Sequence, residues 1–300
     1  MRALFTVLIL LTATPLLSEE DAIARAADAY ARGNHAEALK VIEPAARAGD
    51  PEAQVLLGTA YDTGQGKDIS PRLARDWFTR AAEQDNATAQ LALALMALDG
   101  RKGMPADPLA AVTWLERAMA QGEPRAFLTR ARMLLEGIGA PANPAAGAAL
   151  LITALELGEP QAAMALGDLY ARGEGVAQDL AKARAAYGRG AQMGHGPAMA
   201  QLAVMYELGQ GGPPDPAAAF TLYQEAVNLG EASAAVNLAL FMQQTDGYWT
   251  DPALAYAYCL WGSRNAAPNL QEPYETRCGA LAEGLTAQER TEGARLAARF

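Results

Sequence analysis

A 36-residue beat runs through nearly the whole chain and narrows what it can fold into more than any other feature. The residue just past each second helix reads Gly49, Asp85, Gly122, Gly158, Gly194, Gly230 and Ala266, in steps of 36 or 37. A small-residue column reads Ala53, Ala89, Ala126, Ala162, Ala198 and Ala234, and a glycine column reads Gly64, Gly100, Gly137, Gly173 and Gly209. Self-similarity at a fixed period of this size marks a repeat array. No single unit buries its own apolar face, and stacking of neighbours covers it.

The unit from Gly158 to Gly194 shows how one repeat is built. Pro160 suits a helix start, where its missing N–H costs nothing. Ala162, Ala165, Leu166, Leu169 and Tyr170 recur at spacings of one side of a helix. Gly173-Glu174-Gly175 ends that helix, and Asp179 is the N-cap candidate for the second. The second helix carries Ala183, Ala186, Tyr187 and Ala191 and stops at Gly194. The expected fold is all-α: an α/α superhelical solenoid of about seven helix-turn-helix repeats with a C-terminal capping helix. The first pair is short, Asp21 to Arg32 and His35 to Arg47 around Gly33-Asn34. The cap runs from Thr286 to Arg299, with Thr286 and Glu289 spaced as a capping box.

Some positions depart from the beat. One extra residue lies in the loop at Arg101-Lys102, between Gly100 and Gly103. Arg130 occupies a leucine column, which implies either a locally rotated helix or a carboxylate or water at the guanidinium. Thr245 replaces the loop glycine of the sixth unit and Met242 its tyrosine. Arg132 and Asp168 share a column 36 residues apart, so they are either an inter-repeat ion pair or two solvated charges.

The whole-chain properties exclude several functions. Hydrophobic residues make up 51% and charged residues 19%, which is not a disordered composition. A formal net charge of −10 argues against nucleic acid and against a polybasic lipid-docking surface. Residues 1–18 read as a signal peptide: Met1-Arg2, an apolar stretch from Ala3 to Leu11, then Pro15 and a polar start at Ser18. That stretch is too short for a membrane span, and no other long apolar segment follows. The expectation is a periplasmic protein with no membrane span after signal removal; the alternative is an uncleaved anchor. Residues 19–267 then form the repeats and 268–300 the capping region. Cys259 and Cys278 are the only cysteines and fall in consecutive helices joined by the loop around Pro268 to Pro273. In an exported chain they invite a disulfide, with two buried thiols as the alternative.

No catalytic, metal or cofactor constellation is visible. His35 and His195 lie in turns and have no metal-ligand spacing. Four serines give no nucleophile elbow. The Gly-x-Gly pairs Gly64-Gln65-Gly66 and Gly209-Gln210-Gly211 follow helices and recur once per unit, as caps do, rather than following strands as phosphate loops do. Trp77, Phe78, Trp114, Tyr187 and Tyr223 read as packing residues rather than a ligand box.

Taken together, the columns resemble the Sel1-like repeat family, relatives of the tetratricopeptide repeats. Ala162, Leu166, Gly167, Tyr170, Gly173, Gly175, Val176, Asp179, Ala183 and Gly194 match its pattern in one unit. Ala53, Leu57, Gly58, Tyr61, Gly64, Gly66, Ala74, Trp77, Ala81 and Ala82 match it in another. The resemblance covers about Ala36 to Ala267 and implies a non-enzymatic scaffold that binds a protein or peptide. Exported members that it resembles include regulators of a membrane sensor kinase and envelope or secretion adaptors. The family often carries Asn just before the first-helix Leu, on the concave side. Here that column reads Leu56, Ala92, Thr129, Ala165, Gln201 and Asn237, so Asn237 matches and Gln201 nearly does. An amide there can clamp an extended peptide backbone; plain surface polarity is the other reading. Two further functions stand beside the scaffold. One is a cell-envelope enzyme of the cysteine-rich Sel1 type, whose repeated cysteine pairs and Ser-x-x-Lys this chain lacks. The other is a structural spacer.

Overall fold

The structure, a computed structural model, describes residues 19–100, 105–244 and 251–300. The expected export signal, the Arg101-Lys102 insertion and Thr245 lie outside the described residues. Every regular element among those described is a helix. Seven consecutive pairs are present: α1 (Glu19–Ala31) and α2 (His35–Ala48); α3 (Pro51–Thr63) and α4 (Pro71–Glu83); α5 (Ala87–Asp99) and α6 (Pro108–Ala120); α7 (Pro124–Glu136) and α8 (Pro144–Glu156); α9 (Pro160–Arg172) and α10 (Leu180–Gln192); α11 (Gly196–Leu208) and α12 (Pro216–Asn228); α13 (Ala232–Gln244) and α14 (Pro252–Asn265). Two more helices follow, α15 (Pro268–Glu283) and α16 (Ala287–Ala297). They form two compact units that divide between Glu123 and Pro124. Inside each unit a second helix packs on its own first helix and on the first helix of the next repeat.

The helices start where the sequence places a cap. Ser70, Asp107, Asn143, Asp179, Asp215 and Asp251 form one column, and each side chain accepts from the backbone N–H three residues on. That bond satisfies one of the orphan donors of the first turn. Proline follows the cap in five of these six helices, where it needs no partner for a missing N–H.

The small column explains how the helices come close. Ala53, Ala89, Ala126, Ala162, Ala198 and Ala234 are all 0% exposed. Helical Gly167 goes further: a Cβ there would stand 2.3 Å from the Tyr187 ring, so the aromatic column of the second helix rests directly on first-helix backbone. Phe78, Leu115, Leu151, Tyr187 and Tyr223 occupy that column and are buried.

The Gly-x-Gly loops have two separate physical roles. The first glycine takes the left-handed cap conformation, as Gly173 does at φ +70°. The second lets the loop touch the preceding repeat: a Cβ on Gly175 would meet Pro144, at the start of α8, at 2.2 Å.

At the C-terminus, α16 packs across α14, with Gly293 set against the carbonyl of Ala253. Thr286 and Glu289 complete the capping box in both directions. Cys259 of α14 and Cys278 of α15 are joined in a disulfide with Cα atoms 5.5 Å apart. The segment from Pro268 to Pro273 is the start of α15, not a loop. Pro268 sits in the first turn, where its ring fits, and the helix continues through Pro273.

Candidate partner-binding surfaces

Gln201 on α11 and Asn237 on α13 belong to first helices that touch within their unit. Gln201 is exposed and Asn237 half-buried. The two amides therefore lie in one column of adjacent repeats.

Of the two readings of Arg132 and Asp168, the inter-repeat ion pair does not form. Arg132 is exposed, while Asp168 is held inside its own repeat. It accepts a 2.6 Å hydrogen bond from the Tyr187 hydroxyl and lies 3.9 Å from Arg172, one turn along α9. Tyr223 donates in the same way to Glu207 at 2.7 Å. Burial, then the adjacent carboxylate, raises both phenols well above their ordinary range, so both hold their protons. An inter-repeat ion pair exists elsewhere: Arg117 of α6 reaches Asp85, at the end of α4, at 3.0 Å, and also donates to the carbonyl of Ala82.

Arg130 keeps its Nη1 buried with no hydrogen-bond partner. Its helix is not rotated, because Ala126 in the same helix stays fully buried in its column.

Two sets of residues escape a reading of apolar columns. In the unit ending at Glu123, Gln54 donates to the carbonyl of Ala46 and accepts from Gln84. Gln90 repeats this with the carbonyl of Ala82 and with Gln121. These glutamines satisfy carbonyls at the end of the preceding second helix. In the other unit the column of Gln84 and Gln121 turns apolar: Leu157, Met193 and Leu229. They cap three successive second helices and stay 43%, 37% and 56% exposed. The signal was present in the sequence, as large apolar residues on the beat just beyond a helix end.

Each unit also holds a groove between second helices. In the later unit α10 and α12 bound a groove of 590 Å³, with Leu202 and Tyr206 of α11 as its floor. In the earlier unit Arg75 of α4, Leu93 and Ala97 of α5 and Trp114 of α6 line one of 340 Å³. A smaller apolar cavity of 200 Å³ lies between Met242, Ala255, Leu281 and Leu285, beside the capping helices. Phe78, Tyr187 and Tyr223 are buried packing residues, while Trp77 and Trp114 are half-buried under the guanidinium groups of Arg80 and Arg117. His195 serves as the N-cap of α11, its Nδ1 accepting from Ala198 N–H at 3.2 Å. His35 stacks edge-on against Tyr30. Among the described residues no group of His, Cys, Asp and Glu is placed to hold a metal ion. No described helix is long and apolar enough to cross a membrane.

Comparison with known proteins agrees with this architecture. The Sel1 repeat profile matches residues 51–86, 87–123, 130–159, 160–195 and 196–231. The chain belongs to the Sel1 repeat family. Among solved structures it is similar to a Sel1 repeat protein from Oxalobacter formigenes, at 26% identity and a TM-score of 0.64, covering 86% of this chain and 96% of that one. It also shares the fold of c5321, described as a protective antigen of uropathogenic Escherichia coli, at 23% identity and a TM-score of 0.68. That likeness covers 94% of this chain and 61% of c5321. No curated protein matches the chain. Sel1 repeats generally mediate protein–protein interaction and are typically non-catalytic.

Proposed function

We propose that this protein is a non-enzymatic scaffold of the bacterial periplasm that binds a protein or peptide partner in a regulatory or adaptor role. The observation that carries the reading is the row Leu157, Met193 and Leu229. Three large apolar side chains in register, one per repeat, remain exposed at the ends of successive second helices. Stacking does not need them there, and an apolar side chain left exposed at the same place in successive repeats is a candidate interaction site. The amides of Gln201 and Asn237 add a second candidate contact, suited to an extended backbone. The apolar stretch from Ala3 to Leu11 after Met1-Arg2 supports export.

The test is in-cell crosslinking of the full-length protein, followed by fractionation and affinity capture. The expected result is one partner enriched from the periplasmic fraction over an unrelated solenoid of the same size. Recovery of the protein only from cytoplasm, or no enrichment over that control, contradicts the proposal.

A further inference from the structure

The two inter-helix grooves are built from the same columns of the repeat. Arg75 and Arg184 hold one repeat position, Leu93 and Leu202 another, and Trp114 and Leu222 a third. The groove between α10 and α12 is the larger, and its chemistry is the more defined.

One wall is cationic. Helix α10 lines it with Arg184 and Arg189 and carries no acidic residue, within a chain of net charge −10, while its Lys182 is paired with Asp179 at 3.4 Å. Arg184 is already fixed in place. Its guanidinium lies 3.9 Å over the Tyr206 ring, and Nη1 donates to the carbonyl of Pro213 at 3.1 Å. A guanidinium held this way loses little further freedom on binding.

Arg189 is the available cation. Its column contains Arg117, which in the other unit is engaged by Asp85. The counterpart of Asp85 here is Gly158, which offers no carboxylate. Arg189 is exposed and makes no ion pair among the described residues. Between the two arginines Gly188 leaves the wall open, with no atom within 4 Å of where a Cβ would stand. Across the groove Leu222 gives an apolar wall and Glu225 a single negative charge. A ligand carboxylate is thus drawn towards α10 and turned away from α12.

We infer that the groove between α10 and α12 binds an extended acidic peptide segment of a partner protein. A ligand carboxylate pairs with Arg189 beside the fixed Arg184, and a neighbouring apolar side chain packs on Leu222 and Tyr206. The inference rests on the scaffold reading and names the segment chemistry that one surface of it recognises.

A random-peptide library selected on the full-length protein tests this, with the enriched peptide then resynthesised, labelled and titrated. The expected peptide carries Asp or Glu close to a large apolar residue. Arg189→Glu weakens it by about tenfold or more, as loss of a charge-assisted hydrogen bond requires. Arg189→Lys keeps the charge and loses less, and added salt weakens wild-type binding. Arg189 is exposed, so circular dichroism of the variants should match wild type. Enrichment of peptides without acidic residues, or binding indifferent to Arg189→Glu, overturns the inference. Peptides that instead lose binding to Gln201→Ala with Asn237→Ala would place recognition on the first helices and leave the scaffold reading intact. If no peptide is enriched and no partner is crosslinked, both fail.

Discussion

Single atoms decide several positions in this protein. Gly167 is one: its missing Cβ is the space that Tyr187 fills on its way to Asp168. In an ordinary exposed helix, Gly→Ala stabilises. Here Gly167→Ala forces the ring aside and breaks a 2.6 Å hydrogen bond, so it should lower stability by about 1–3 kcal/mol. Urea unfolding of the purified variant measures this. His195 is a second such position, because only a neutral Nδ1 can accept the cap bond from Ala198. Burial holds this imidazole below its ordinary value, against the opposing pull of Glu231 and Glu159. A folded-state value below the unfolded one means that the contribution is complete above the unfolded value, near pH 6.5, and fades as pH falls through the folded one. Thermal melts from neutral to mildly acidic pH should show that loss, and His195→Asn, which caps without titrating, should flatten it.

At the scale of the element, the sequence announced most of the helices and their ends. The caps at Asp179 and Thr286, the glycine stops and the alanine columns are local signals, and each is where the spacing predicts it. What the sequence could not show is how polar side chains settle between repeats. Arg132 and Asp168 share a column, yet Asp168 is taken by Tyr187 within its own repeat. Arg117 and Asp85 do meet, because one projects from a helix face and the other closes the preceding helix. The glutamine bridges at Gln54 and Gln90 follow the same logic of satisfying helix-end carbonyls. Pro268 and Pro273 suggested a loop, but a proline early in a helix leaves enough hydrogen bonds for α15 to form. The disulfide ties this helix to α14 across a sequence separation of 19. In the chain-entropy account, closing a loop of that size stabilises by roughly 3 kcal/mol. Cys259→Ser with Cys278→Ser should lower the unfolding midpoint correspondingly, and a reducing agent should lower that of wild type only.

Across the whole molecule, the repeat accounts for most of the glycine, alanine and aromatic residues and leaves few positions without a packing role. Among them are the exposed row Leu157, Met193 and Leu229, the amides Gln201 and Asn237, and Arg189. The row and the amides lie in columns that hold other residue types in the unit ending at Glu123, where Gln84 and Gln121 bond internally, while Arg189 shares its column with Arg117, which is paired there. In the later unit the beat is kept for structure while these positions are left out of internal bonding. On the proposed function, the surfaces that stacking does not require are the ones that hold a partner. The most direct measurement compares crosslinked partners of the wild type with those of Leu157→Ser, Met193→Ser and Leu229→Ser combined, after confirming equal helicity and unfolding midpoints. A partner enriched by the wild type and lost from the triple variant is the expected result. A partner set identical for the two proteins, or none above that of an unrelated solenoid, would contradict it.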